Sequence, residues 1–312
     1  MKRVLTAVIL IPIVVIALFK APLWLFTLLV LAVALQAAKE YLGIVEAGGF
    51  RPFHGLTYLF ILCGFLVQAS TYITDWRVVQ NFGAAAFVAG MSALAVLLIS
   101  PLVLLVASMR RDSLAEALPD ATMSFMVLPY IGVTLSCMVT LRAMGNGALF
   151  LLYIMLLVWA GDIAALYVGR AFGKHKLAPR VSPGKTWEGA IASVVGAVVV
   201  ALLLFHFLTP IVQGLVQLHL VSPDSAAAVA AALAPIWLVV LFAICINVAA
   251  QLGDLVESSI KRGAGLKDSG SLLPGHGGML DRIDALLFAL PIGLIFYFSG
   301  MSRYFSYPTQ IP

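Results

Sequence analysis

The chain has 312 residues, 62% of them hydrophobic and 11% charged, with a net charge of +5 and a mean hydropathy of +1.06. A soluble domain carries about 25% charged residues, so a soluble fold is excluded. The apolar runs are continuous rather than alternating, which excludes a transmembrane β-barrel. In such a chain the basic excess reflects the bias of cytoplasmic loops, so no nucleic-acid partner is expected.

The pattern predicts an all-α polytopic integral membrane protein of about nine transmembrane helices, over 4–19, 22–38, 56–73, 84–107, 122–141, 148–169, 187–208, 226–252 and 284–299. The first run, 1–22, resembles a signal peptide in its basic start. It has no clear A-x-A site and leads straight into further spans, so it is expected to remain as the first helix. With the N-terminus in the cytoplasm and nine alternating spans, the inside segments hold 15 Lys and Arg, and the outside ones only Lys20, Arg77, Arg142 and Arg303. Twelve of the 14 acids also fall on or near the cytoplasmic side, Asp75 and Asp224 being the exceptions. Any chemistry is therefore expected on the cytoplasmic face of the inner membrane, with the C-terminus outside.

Residues 1–145 read as structural, lipid-facing helices. Within them, 36–50 is expected to form an interfacial amphipathic helix stopped by Gly48-Gly49. The stretch 110–120 is expected to form a short solvated helix ended by Pro119. Cys63, Cys137 and Cys245 lie in apolar runs without metal-ligand spacing and read as small hydrophobes.

Residues 146–312 hold nearly all the unusual polar residues and read as the catalytic membrane domain. Asp162 should lie roughly 12 Å into the membrane end of its helix, counting from Arg170. An acid there either pairs with a basic neighbour or lines a polar site. The loop 169–189 carries Arg170, Lys174, Lys176, Arg180 and Lys185. Its Ser182-Pro183-Gly184-Lys185-Thr186-x-Glu188-Gly189 stretch is expected to bring a Pro-Gly turn, hydroxyls and a lysine to the start of a helix, an arrangement suited to phosphate. Glu188 there complements the helix dipole. His206 and His219 have no ligand partners in suitable spacing and read as structural or interfacial.

No breaker occurs between Pro235 and Gly263, so the eighth helix should project past the bilayer, with Asp254, Ser258, Lys261 and Arg262 on one side. A glycine-rich loop follows. Asp281 and Asp284 then share one face at the start of the last span. Two carboxylates beside phosphate-binding groups suit Mg²⁺, whereas one nearby His and no Cys disfavour Zn²⁺. His276 precedes Gly277 and Gly278, whose freedom lets backbone approach a phosphate. It reads as an acid/base, a phosphate donor or a loop anchor.

Residues 258–284 resemble the signature of the phosphatidate cytidylyltransferase (CDP-diacylglycerol synthase) family. The resemblance is carried by Ser258, Ile260, Lys261, Arg262, Lys267, Asp268, Gly270, Leu273, Pro274, His276, Gly277, Gly278, Asp281, Arg282 and Asp284. A second element is matched by Ser182, Pro183, Lys185, Thr186, Glu188 and Gly189. The strong part covers roughly 160–290.

The resemblance implies transfer of CMP from CTP to phosphatidate, with release of pyrophosphate. It implies dependence on Mg²⁺, with a second cation left open, and a membrane homodimer. It further implies Asp254, Asp281 and Asp284 as metal-binding acids. Catalysis is expected to involve those three with Lys261, Arg262, Lys267, Asp268, His276 and Arg282. Substrate contacts are expected from Asp162, Ser182, Lys185, Thr186, Glu188, Ser258, Gly277 and Gly278. A CTP-dependent polyprenol or phytol kinase, or a cytidylyltransferase for another lipid phosphate, is the alternative. An ion-coupled transporter fits poorly, because the charges cluster at one face rather than at mid-membrane.

Overall fold

The computed structural model describes residues 12–73, 82–221, 235–272 and 277–299. The expectations that concern 1–11, Asp75, Arg77, Asp224, Leu273, Pro274, His276 and Arg303 lie outside these residues. Apolar runs in a membrane satisfy their own backbone polar groups only as helices. A helical stretch over 12–20 (α1) is followed by α2 (Leu23–Ala47), α3 (His54–Ile73), α4 (Phe82–Ser108) and α5 (Leu114–Val127). A π-helical turn (Leu128–Val133) runs into α6 (Thr134–Ala143). Then come α7 (Gly147–Phe172), α8 (Trp187–His206), α9 (Leu208–Gln217), α10 (Ile236–Gly263) and α11 (Leu280–Phe298). Among the described residues, five helices are long and apolar enough to cross a bilayer: Leu23–Ala47, Leu114–Ala143, Gly147–Phe172, Trp187–His206 and Ile236–Gly263. The chain is a multi-pass helical membrane protein.

Three local expectations are corrected. The stretch 36–50 is no separate interfacial helix, because nothing between Leu23 and Gly48 breaks α2. Ala37, Ala38, Glu40, Tyr41 and Leu42 are buried against protein rather than laid in headgroups. The chain does stop at Gly48, where Gly49 takes φ +92, a conformation open mainly to glycine. Pro119 does not end its helix but lies inside α5. Its ring forfeits one bond, to the carbonyl of Ala115, an exposed residue. Finally, Pro183-Gly184 is not a turn opening a helix. Both residues lie in β2 (Ser182–Thr186), which pairs antiparallel with β1 (Lys176–Ala178) in a two-stranded hairpin, the exception to an all-helical description.

The core is continuous across the chain and includes Leu42, Ile131, Phe150, Phe242 and Leu287. Tyr153 and Phe242 stack with ring centroids 5.7 Å apart, and Phe150 lies 5.4 Å from Phe242. α7 packs along α8, while α10 packs on both α8 and α11. α11 also reaches α2 and α6, so its first turn meets helices from the other end of the sequence. Gly253 sets the spacing of α10 and α11: a Cβ there would run into the Asp284 carbonyl. The helices therefore approach closely just where Asp254 and Asp284 stand.

Candidate active site

Two buried acids hold the start of α11. Glu40 reaches from α2 and accepts from Met279 N at 2.9 Å and from Leu280 N at 2.8 Å. These are amides that a helix start leaves without intrahelical partners, and a carboxylate there also complements the dipole. Asp281 turns back and accepts from Gly278 N at 2.8 Å and Ser269 N at 3.0 Å. Ser269 Oγ stands 2.9 Å from both Glu40 Oε2 and Asp281 Oδ2, sharing its single proton between them. The other Asp281 oxygen accepts from Lys261. Lys261 also pairs with Glu257, one turn earlier on α10, at 2.5 Å; the Glu257 side chain is 1% exposed. In this dry setting each charge is compensated by its neighbours, as burial requires.

A second group of charges is carried by α7, β2, α10 and α11. Lys185 of β2 pairs with Asp254 at 2.7 Å. Ser258 Oγ donates to the other Asp254 oxygen at 3.3 Å. Asp284 Oδ1 accepts from the amide of Ala285 at 2.7 Å. Asp162, Asp254 and Asp284 lie within electrostatic reach of one another, with Lys185 and Arg282 the cations facing Asp162. Asp162 makes no direct salt bridge among the described residues. Like charges gathered this way repel, and only bound cations or the local lysines offset the cost.

The hairpin is fastened at three points. Thr186 Oγ1 accepts from Gly189 N at 3.2 Å and caps α8. Gly189 lets α8 lie close to α7, since a Cβ would stand 3.1 Å from the Ala165 carbonyl. Glu188 accepts from His175 Nδ1 at 2.6 Å and from the His175 amide at 3.2 Å. Arg262 Nε points at the Val181 carbonyl at 3.5 Å. Ser182 pairs in register with Ala178. Lys267, Asp268 and Arg282 are exposed at the rim, and Gly277 takes φ +78.

Sequence reading thus named Asp254, Lys185, Lys261, Asp281 and Asp284, which the fold draws into two adjoining clusters. It missed Glu40, Glu257, Ser269 and His175. Glu40 carried only a weak signal, an acid within a long and mostly apolar helix but beside Lys39 and Gln36.

The fit of the donor set to Mg²⁺ follows from its hydrogen bonds. Both Asp281 oxygens are engaged by Lys261, Ser269 and Gly278, so this acid anchors the loop. Among the described residues, no group of three or more His, Cys, Asp or Glu is arranged to hold a metal. Asp254 and Asp284 fit the smaller requirement, since Mg²⁺ binds with one or two carboxylates plus phosphate oxygens and water.

The sequence model described as Cytidylyltransferase family matches residues 1–299. The chain is similar to a phosphatidate cytidylyltransferase of Haemophilus influenzae, at 44% identity over 153 residues, 49% of this chain and 47% of the relative. It is also similar to one of Staphylococcus haemolyticus, at 38% over 173 residues, 55% of this chain and 57% of the relative. A third, of Staphylococcus aureus, is 35% identical over 173 residues, again 55% of this chain and 57% of the relative. The chain spans about half the length of the curated relatives it matches.

Proposed function

The chain belongs to the cytidylyltransferase family, and from that premise we propose that it transfers CMP from CTP to phosphatidate, forming CDP-diacylglycerol and pyrophosphate. The observation that carries this reading is the Lys185–Asp254 pair at 2.7 Å, which joins the basic hairpin to the α10–α11 carboxylates in one site. The names of the similar proteins support the substrates.

The reaction is an in-line displacement. An oxygen of the lipid phosphate forms a bond to the α-phosphorus of CTP. The bond from that phosphorus to the α–β bridging oxygen breaks, and pyrophosphate leaves with the electron pair. A phosphomonoester is already ionised near neutral pH, so no strong base is needed. The obstacle is bringing two anions together, which positioning and electrostatics address. Lys185, Arg262, Lys267 and Arg282 neutralise and orient phosphate oxygens, with Ser182 and Ser258 as hydroxyl donors. Glu40 and Asp281 hold the loop that carries Lys267, Asp268, Gly277 and Gly278. Asp254 and Asp284 would hold Mg²⁺, which when bound supplies further neutralisation of phosphate charge. The site faces the cytoplasm of the inner membrane, with nine spans and the N-terminus inside, and the assembly is a homodimer.

The test uses purified protein in mixed micelles with phosphatidate and CTP, with and without Mg²⁺. Label on the α-phosphate of CTP is expected to enter the lipid, with one pyrophosphate released per product. Entry of γ-label instead would replace this reading with a CTP-dependent lipid kinase.

A further inference from the structure

Four cations of the segment 169–189 take no part in the site described above: Arg170, Lys174, Lys176 and Arg180. All four are exposed, and none pairs with an acid among the described residues. Residues 163–187 contain no Asp or Glu. Glu188, the next acid along the chain, is engaged by His175, and the fifth cation, Lys185, is paired with Asp254. The hairpin and the helix end before it therefore keep four positive charges with no described acid in contact.

The two helices that carry the hairpin fix its level. α7 and α8 are each long and apolar enough to cross a bilayer, and only residues 173–186 join them. Phe172, Trp187 and the hairpin between them therefore lie together at one bilayer surface. Three large aromatic side chains stand there uncovered by protein: Tyr167 at 70% exposure, Phe172 at 68% and Trp187 at 55%. The Trp187 amide donates to the His175 carbonyl at 2.9 Å, which ties this residue to the hairpin. Deeper along both helices the uncovered residues are aliphatic, Ile163 on α7 and Ile191 and Val195 on α8. Along the membrane normal the order is thus aliphatic, aromatic, cationic. This is the layering of hydrocarbon, interface and headgroups. Four unpaired cations would also attract a nucleoside triphosphate from water. Such a ligand gives the aromatic rim no role and leaves three large rings facing water, whereas an anionic headgroup layer accounts for both.

We infer that the α7–α8 hairpin is a docking surface for anionic phospholipid headgroups, outside the reacting groups, which concentrates those lipids around Trp187. The test needs no turnover, so its outcome is independent of the proposed reaction. A variant keeping Trp187 as its only tryptophan is placed in nanodiscs of phosphatidylcholine with a minority of phosphatidylglycerol. Bromine on the upper acyl chain of one lipid or the other quenches Trp187 fluorescence according to which lipid stands beside it. At equal mole fraction, the brominated anionic lipid is expected to show an affinity about fivefold or more above the neutral one. Fivefold corresponds to the roughly 1 kcal/mol contributed by one basic side chain near an anionic surface. High salt should remove the preference. The triple variant Lys174→Gln, Lys176→Gln, Arg180→Gln should also lose it while keeping the quenching by neutral lipid, which shows that Trp187 still meets the bilayer. Equal quenching by the two lipids in the parent protein overturns the inference. So does a preference that survives the triple substitution, or a Trp187 that neither lipid quenches. A triple variant that keeps the lipid preference but raises the KM for CTP equally in neutral and anionic discs would assign these cations to the nucleotide instead.

Discussion

Glu40 and Ser269 are 229 positions apart in the chain and 2.9 Å apart in space. Through that contact a helix from the first fifty residues grips the loop that carries the signature. Glu40→Ala would strip Met279 N and Leu280 N of their acceptor and leave Ser269 Oγ with Asp281 alone. The expected cost is about 1–3 kcal/mol for each buried group left unmet, seen as a lower melting temperature in detergent and activity reduced more than tenfold. Glu40→Gln keeps one acceptor oxygen and should fall between. Wild-type stability and turnover in Glu40→Ala would remove the anchoring role.

Lys261 balances Glu257 and Asp281 at once. Lys261→Met leaves two buried carboxylates facing each other without a cation. Removing one partner of a buried pair costs about 3–5 kcal/mol. Adding Glu257→Gln to that variant should recover part of the loss, because it removes one stranded charge. Calorimetry of the single and double variants checks this, and strict additivity would argue against coupling.

Asp284→Asn keeps an oxygen to accept from the Ala285 amide at 2.7 Å while removing the charge. It should retain the wild-type melting temperature and lose at least a hundredfold in turnover, a loss typical of removing electrostatic stabilisation from a reaction site. Near-normal activity would exclude Asp284 from handling charge in the reaction.

Thr186 both caps α8 and fills the space beside Gly169 and Gly173. Thr186→Ser should preserve the cap. Thr186→Val should cost about 1 kcal/mol, read as a lower denaturation midpoint, with activity falling as the hairpin loosens.

The side of the membrane is open to direct labelling. In a variant without native cysteines, Lys176→Cys on the exposed hairpin should react with an impermeant maleimide in inverted vesicles and stay protected in intact cells. The opposite pattern would reverse the orientation drawn from the charge count.

Much of this architecture was legible because hydrophobic run length dictates helices, and because the signature keeps its polar residues close in sequence. The termination of α2 at Gly48-Gly49 and the extension of α10 to Gly263 follow from local chemistry alone. What stayed hidden depends on contacts between distant segments. Nothing local marks Glu40 as the partner of Leu280, or Ser269 as the partner of Glu40. The Glu257–Lys261 pair, by contrast, is i,i+4 on one helix and was open to sequence reading. The hairpin was misread because Pro-Gly is strong turn chemistry, whereas here a short strand pairs with β1 and places both residues in extended backbone. Pro119 was misread because a proline early in a helix costs only one bond, released here at an exposed carbonyl.

The π-helical turn at Leu128–Val133 amounts to one extra residue slipped into the Leu114–Ala143 helix. Each residue rotates a helix by about 100°. Excising any one of these six would straighten the turn and swing everything after it through that angle. Leu135, Val139 and Leu141 would leave the core, and Arg142 would lose its 2.5 Å contact with the Leu18 carbonyl. The span should therefore reject a deletion of a single codon there, because the packing on either side fixes its register.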